Sequence, residues 1–328
     1  ASCLNYFLNW MKHSITLKKS AKSSNPPKHL MTKILKNIIN GWLAIDKPEG
    51  MNSTRVVSII KKLIRPTKIG HAGTLDPMAT GVLPIAIGEA TKTVQFAMGA
   101  RKKYLFTIHF GTETDSFDKE GKITKSGGKF PNKNEILEKI PEFIGDIEQT
   151  PPAFSAIKVD GERSYDLARK GQAVKLKSRK VKIYALNLVS QVSESDFEFE
   201  VECGKGTYVR AIARDLSYKL DTYGHLIKLR RSQVGKFNEK NLISLEKLED
   251  LVHNGELFKE LLPVDSALDD IPVLEINAAN SSKIRNGQLI FVEGIPNAEK
   301  ACVKYDNKVV AVGTINEEIF KPERVFNL

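Results

Sequence analysis

Alternating apolar and polar positions mark the strands of this chain. Phe197, Phe199, Val201 and Cys203 alternate with Glu198, Glu200 and Glu202, the pattern of a strand with one buried and one charged face. Tyr104, Phe106, Ile108 and Phe110 alternate in the same way with Leu105, Thr107 and His109. Trp42-Leu43-Ala44-Ile45 predicts a short strand, ended by the turn-rich Asp46-Lys47-Pro48-Glu49-Gly50. Leu83 to Ile87 predicts another. Elsewhere the spacing is helical. Val56, Val57, Ile60, Leu63 and Ile64 share one face of a helix that Ser53 can cap and Pro66 stops. Val209, Ile212, Ala213, Leu216 and Leu220 form a second amphipathic face starting near Tyr208, after Gly204-Lys205-Gly206 breaks the preceding strand. Glu135 to Ile140 and Ser164 to Lys170 predict shorter helices. Thr112 to Gly128 predicts a polar loop and Leu262 to Pro272 a linker. Beyond the linker, Cys302 to Tyr305 and Lys308 to Val312 flank Asp306-Asn307, a hairpin pattern.

This order is α+β: strands and helices mix without a βαβ rhythm. The 328 residues allow two domains, with room for a small further module. We divide the chain into a basic extension over 1–36 that is expected to be disordered, a main domain over 37–262, and a small β-rich module over 263–328. No apolar run approaches the ~18 residues of a membrane span, so no membrane partner is expected. Fifty Lys and Arg against 39 Asp and Glu give a net charge of +11, which suits a polyanionic partner such as nucleic acid and a merely lysine-rich surface about equally well. Cys3, Cys203 and Cys302 are far apart and make no CxxC, so neither a disulfide framework nor a zinc site is predicted. A reducing, cytoplasmic setting fits. No GxGxxG fingerprint or Walker A sequence is present.

The richest chemistry lies in Gly70-His71-Ala72-Gly73-Thr74-Leu75-Asp76-Pro77-Met78-Ala79-Thr80-Gly81. Glycines permit close backbone approaches, and Pro77 biases Asp76 toward an extended or turn conformation. The expected result is a shaped loop presenting one carboxylate. On its own, an aspartate before proline is an ordinary turn residue.

This loop resembles the active-site loop of the TruB family of tRNA pseudouridine synthases. Four further stretches resemble the family in order: Leu43-Ala44-Ile45-Asp46-Lys47-Pro48 with Gly50; Pro151 to Gly171, with Gly161-Glu162-Arg163-Ser164-Tyr165; Gly206-Thr207-Tyr208-Val209-Arg210; and, more weakly, Leu229-Arg230-Arg231 with Gly235. The resemblance implies a mixed-sheet pseudouridine synthase catalytic domain with a T-arm-binding insertion near 111–171, followed by a PUA-like RNA-binding module. It implies Asp76 as nucleophile; whether it attacks the base or ribose C1′ the sequence leaves open. It implies Arg210 as the cation that favours an ionised carboxylate in a dry pocket. Tyr104 would pack on the target base and take the C5 proton. His71 would stack in the RNA loop and help hold the base out, where stacking is worth ~1–3 kcal/mol against a flipping cost of a few. Tyr208 and Leu229 would wall the pocket, and Lys47 would support its geometry or contact phosphate. Each has a plainer role available: core tyrosine, buried leucine, solvated lysine.

The resemblance also implies no metal or organic cofactor, because the isomerisation involves no redox change or hydrolysis. His71-Ala72-Gly73-Thr74 and the long 111–171 segment look like the stand-alone branch, acting on uridine 55 of the tRNA T arm as a monomer with no guide RNA. Arg101-Lys102-Lys103, Lys175 to Lys182 and Lys228-Arg230-Arg231 are expected to track phosphates. A second reading is a tRNA-binding or tRNA-folding protein whose main work is not chemical. A zinc-dependent base deaminase is excluded because H-x-E and P-C-x-x-C are absent.

Overall fold

The computed structural model describes residues 39–155, 157–159, 161–172, 174 and 176–328. The extension expected over 1–36, Ala156 and Asp160 of the Pro151–Gly171 stretch, and Lys175 lie outside the described residues. The strands are β1 (Gly41–Lys47), β2 (Ile69–His71), β3 (Thr80–Ile87), β4 (Lys102–Phe110), the hairpin β5 (Thr112–Thr114) and β6 (Ile123–Ser126), β7 (Gly145–Gln149), the short pair β8 (Lys158–Val159) and β9 (Glu162–Arg163), β10 (Arg179–Gln191), β11 (Asp196–Cys203), β12 (Gly224–Val234), β13 (Phe237–Asn238) and β14 (Leu242–Ile243). The C-terminal module adds β15 (Val273–Glu275), β16 (Ile290–Phe291), β17 (Ala298–Tyr305), β18 (Lys308–Asn316) and β19 (Ile319–Val325). The helices are α1 (Ser53–Ile64), α2 (Val94–Gly99), α3 (Lys133–Lys139), α4 (Ser164–Arg169), α5 (Val209–Lys219), α6 (Leu245–His253) and α7 (Ala278–Arg285).

A ten-stranded mixed sheet runs β14-β1-β3-β12-β4-β11-β10-β7, with β2 added to β3 and β13 to β12. The β1–β14 and β3–β12 pairs are parallel; the rest of this path is antiparallel. The alternation along β11 appears as written, with Phe197, Phe199, Val201 and Cys203 buried against Phe106, Ile108 and Phe110 of β4. Val56, Ile60 and Ile64 of α1 and Ile212 and Leu216 of α5 close this core. On the β1–β3 side, a separate apolar cluster joins Trp42, Ala44, Val82, Ala86 and Phe237 to Val264, Cys302, Val312 and Phe326. The five-stranded C-terminal sheet, β15-β17-β18-β19-β16, is fixed to the large sheet through this seam. Asp306 and Asn307, both at positive φ, form the expected hairpin turn. Among the described residues no helix is long and apolar enough to cross a membrane.

Three expectations need correction. Asn52, not Ser53, caps α1: its side chain accepts from the Arg55 N–H at 2.8 Å, while the Ser53 hydroxyl is used elsewhere. The polar stretch 112–128 contains a hairpin, because buried Glu113 and Thr114 pair across it with Lys125 and Ile123. The linker expected over 262–272 is a packed segment. Trp42 exchanges backbone hydrogen bonds with Leu262 at 2.8 Å each, and its indole N–H donates to the Val264 carbonyl at 3.2 Å.

Candidate active site

The Asp76 loop joins β2 to β3, and neighbouring segments tie it down at several points. The Ala72 N–H donates to the Pro84 carbonyl at 2.9 Å. Ser53, at the start of α1, accepts from the Leu75 N–H at 2.9 Å and donates to the Leu75 carbonyl at 3.2 Å. Gly50 N–H donates to the Pro77 carbonyl at 2.9 Å, and Ala79 N–H closes a turn on the Asp76 carbonyl at 3.0 Å. Gly81 has φ +96°, and a Cβ there would lie 2.2 Å from the Arg231 carbonyl oxygen; only glycine fits this approach of β3 to β12.

Lys47 is fully buried beneath the loop. Its ammonium donates to the carbonyls of Pro48 (2.8 Å), Met51 (2.5 Å) and Pro77 (3.0 Å), all three of its protons spent on backbone. Burial pushes its pKa down to about 8, opposed by the Asp76 charge. It is a strut under the loop and presents nothing to a phosphate.

Arg210 opens α5 and reaches Asp76 with two nitrogens. Nη2 donates to Oδ1 at 3.0 Å, and Nε lies 2.9 Å from Oδ2 without pointing its N–H squarely at it. Nη2 also donates to the Phe154 carbonyl at 2.9 Å, and Nη1 to the Ser116 carbonyl at 3.0 Å. Nη1 is 3.5 Å from Oδ2 of Asp118. Asp118 is buried and accepts from the Ser116 hydroxyl at 2.6 Å and the Glu120 N–H at 3.0 Å. One buried guanidinium thus spans two carboxylates, of which Asp76 keeps 31% of its side chain open and Asp118 only 5%. Burial, then the charges of Asp118 and Asp76, push the Glu120 pKa up.

Tyr104 stands on β4 opposite Arg231 of β12, and burial raises its pKa. Leu229 pairs with Phe106 in the same two strands and is almost closed off. Tyr208 immediately precedes α5. Its N–H donates to the Gln149 side chain at 2.8 Å, and its carbonyl accepts from the same side chain at 3.2 Å. The Arg179 guanidinium lies 5.3 Å from its ring centroid. His71 is half-buried on β2, its Nδ1 without a hydrogen-bond partner among the described residues; burial, then the Arg231 charge, push its pKa down. Asp76 and Arg210 are therefore in direct contact, Lys47 joins them through the Pro77 carbonyl, and Tyr104 and His71 both border Arg231.

Sequence reasoning missed Asp118, Ser116 and the role of Arg231. The first two sat in a stretch read as polar loop, where no spacing marks them. Several basic residues expected on phosphates are engaged internally. Lys102 is buried, donates to the carbonyls of Met98 (2.8 Å) and Ala100 (2.6 Å), and has its pKa pushed down to about 8 by burial. Arg230 forks onto Asp46 at 3.1 and 3.2 Å and also binds Glu239. Arg231 is buried on backbone carbonyls. Among the described residues no group of three or more His, Cys, Asp or Glu is placed to hold a metal ion.

The arrangement offers one aimed, partly open carboxylate beside a buried tyrosine. Family profiles match the same region: the N-terminal domain of TruB family pseudouridylate synthases over residues 61–209, and the tRNA pseudouridylate synthase B C-terminal domain over 210–269. A protein of Bradyrhizobium diazoefficiens named tRNA pseudouridine synthase B is 46% identical, covering 88% of this chain and 86% of that one. The protein of the same name from Caulobacter sp. strain K31 is 45% identical, covering 88% and 97%. The chain belongs to the TruB family of pseudouridylate synthases. The fold agrees. The crystal structure of a Cbf5-Nop10-Gar1 complex superposes with a TM-score of 0.70 at 25% identity, covering 94% of this chain and 91% of that one. An H/ACA RNP bound to a substrate RNA containing 2′-deoxyuridine gives the same TM-score at 24% identity. In this TruB-family enzyme the Asp76 loop falls within the N-terminal match, and Arg210 is the first residue of the C-terminal one.

Proposed function

We propose that this pseudouridine synthase isomerises uridine 55 in the T loop of elongator tRNAs, as a monomer without a guide RNA. The shared name of its relatives supports tRNA as the substrate class. The observation that carries the chemistry is the Arg210 fork on Asp76, which aims a partly open carboxylate from a loop tied down on both sides. The target base flips out, and His71 stacks in the space it leaves. Asp76 forms a covalent bond to the nucleotide and the N1–C1′ bond breaks. The uracil turns, C5 bonds to C1′, and Asp76 is released. The C5 proton passes to Tyr104 while N1 takes one from solvent, so no proton is gained or lost. Tyr208 and Leu229 wall the pocket, and Lys47 and Arg210 hold its geometry. Residues 37–262 form the catalytic domain, with the T-arm contact near 111–171, and 263–328 form a PUA-like RNA-binding module.

The test is site-resolved pseudouridine mapping on an unmodified tRNA transcript, with wild type and Asp76→Asn and no added cofactor or guide. Modification at position 55 by the wild type alone, with tRNA binding retained in the variant, is the expected result. Tight binding without modification by the wild type would overturn the proposal and leave a tRNA-binding or folding role.

A further inference from the structure

Arg231 carries a charge that this mechanism does not use. Only 1% of the residue is exposed. A buried guanidinium is costly unless it is paired and hydrogen-bonded, yet no described carboxylate forms an ion pair with it. Its Nε donates to the Val82 carbonyl at 2.8 Å and its Nη2 to the Gly73 carbonyl at 2.9 Å. These two carbonyls bracket Asp76 along the chain, so the guanidinium grips both ends of the loop. Gly73 has φ +96°, and a Cβ there would stand 3.4 Å from Arg231 Nη1.

Arg231 and Tyr104 are register partners on adjacent antiparallel strands, so their side chains leave the same face of the sheet. Burial pushes the Tyr104 phenol up, and the Arg231 charge beside it opposes that push. The other titratable groups around the pair are Lys102 on β4, His71 on β2, Lys47 on β1, Cys203 on β11 and Asp76 itself. Burial pushes Lys47 and Lys102 down to about 8 and Cys203 up to about 11, while a guanidinium keeps its charge throughout this range.

We propose that Arg231 is a positioning residue with two jobs: it ties both ends of the Asp76 loop, and its fixed charge favours the phenolate of Tyr104. This rests on the reading of Tyr104 as the acceptor of the C5 proton. In that step the phenol first gives its proton to solvent. The phenolate oxygen then takes the C5 proton, the C–H electron pair returns to the ring, and N1 takes a proton from solvent. A neighbouring cation lowers the proton affinity of the phenol and so raises the fraction ready to accept.

The test separates the charge from the grip. Arg231→Gln keeps hydrogen-bond donors for the carbonyls and removes the charge; Arg231→Lys keeps the charge and loses the fork. With 3-fluorotyrosine placed at position 104 of the full chain, the 19F shift is followed against pH. The Gln variant is expected to raise the titration midpoint by about one pH unit, tenfold in proton affinity. The Lys variant is expected to hold it near wild type while unfolding at lower temperature. In single-turnover assays on tRNA, Arg231→Gln should slow isomerisation about tenfold in the native background and less than twofold in Tyr104→Phe. An unmoved midpoint in the Gln variant, or equal slowing in both backgrounds, would leave Arg231 a plain clamp and overturn the proposal. Should the Gln variant not fold, the Lys variant decides alone, since a full-unit rise despite the retained charge also overturns it. A Tyr104→Phe enzyme working at wild-type rate would instead remove the reading of Tyr104, a different failure.

Discussion

Two seams hold distant segments of this chain together, and they are built from opposite materials. At the candidate active site, Asp76, Arg210, Asp118, Lys47 and Arg231 bring five separate segments together through charges and carbonyls. At the junction with the C-terminal module, Trp42, Phe237, Val264, Cys302, Val312 and Phe326 do the same through apolar contact. The apolar seam gains free energy from area removed from water and tolerates small shifts. The polar seam gains little net free energy, because each buried charge must first be desolvated. What it does gain is aim, since hydrogen-bond angles and ion-pair distances fix where one carboxylate points. The molecule uses buried charge where one carboxylate is held in a fixed direction and hydrophobic area where a module must simply stay attached.

Breaking the polar seam should therefore cost both stability and rate. In Arg210→Met, Asp118 is left buried with no cation beside it and Asp76 loses its fork. The unfolding free energy should fall by about 3–5 kcal/mol in denaturant titration. Isomerisation should fall by about 100-fold or more, because the carboxylate is no longer held in line. Breaking the apolar seam should separate the two quantities. Trp42→Ala removes a wholly buried indole that packs at a tilt against Phe237, ring centroids 5.1 Å apart, and donates to the Val264 carbonyl. A loss of about 3–5 kcal/mol is expected, with the single-turnover rate on saturating tRNA within about twofold of wild type while the protein stays folded. A comparable loss of rate would show that the two seams are mechanically one.

Lys47 sharpens the comparison through pH. Lys47→Met leaves three carbonyls without their donor and should cost about 1–3 kcal/mol near neutral pH. The folded pKa, about 8, lies below the ordinary value of 10.5. Below pH 8 the amine is charged in both states, and the folded state bears the whole desolvation penalty. Between about 8 and 10.5 the unfolded chain binds more protons than the folded one, so stability rises with pH. The gap between wild type and Lys47→Met should widen across that window. Lys102 titrates in the same range but is present in both proteins and cancels. A gap that narrows with pH would mean that the strut works only when charged.

The sequence was most legible where burial is periodic. The alternation at Phe197 to Cys203 and the helical faces of α1 and α5 appear in the structure as expected, because one side of each element meets a core. Asp76 and Arg210 were found through motif resemblance, and the structure puts them in contact. Three kinds of feature were not legible. The central strand β12 was hidden because Lys228, Arg230 and Arg231 made it look like a solvent-facing basic run. Arg231 in fact turns inward onto backbone carbonyls, and the half-buried Arg230 is held by the carboxylates of Asp46 and Glu239. Asp118 was hidden because nothing in the spacing separates it from Glu113, Asp115 and Glu120 in the same polar stretch. Its value comes only from Arg210, 92 positions along the chain. The linker over 262–272 looked free because its two prolines and its acids resemble a spacer, whereas Val264 and Leu268 are buried against the large sheet.

The smallest predicted effect sits in two adjacent residues. Asn52 and Ser53 both look like caps for α1, and only one is. Asn52 satisfies the Arg55 N–H at the exposed start of the helix, so Asn52→Ala should lower stability by about 1 kcal/mol and leave the rate unchanged. Ser53 is buried and joined twice to the backbone of Leu75, one residue before Asp76. Ser53→Ala should also cost about 1 kcal/mol, since one buried N–H and one carbonyl lose a partner. Its rate, however, should fall by more than its stability implies, because the lost bonds hold the Asp76 loop rather than the helix. The check is thermal unfolding and single-turnover isomerisation on the two alanine variants side by side. Equal stability losses with a rate defect confined to Ser53→Ala would place the boundary of the polar seam between these two neighbours. Matching rates would push that boundary inward, to Leu75 and Asp76 themselves.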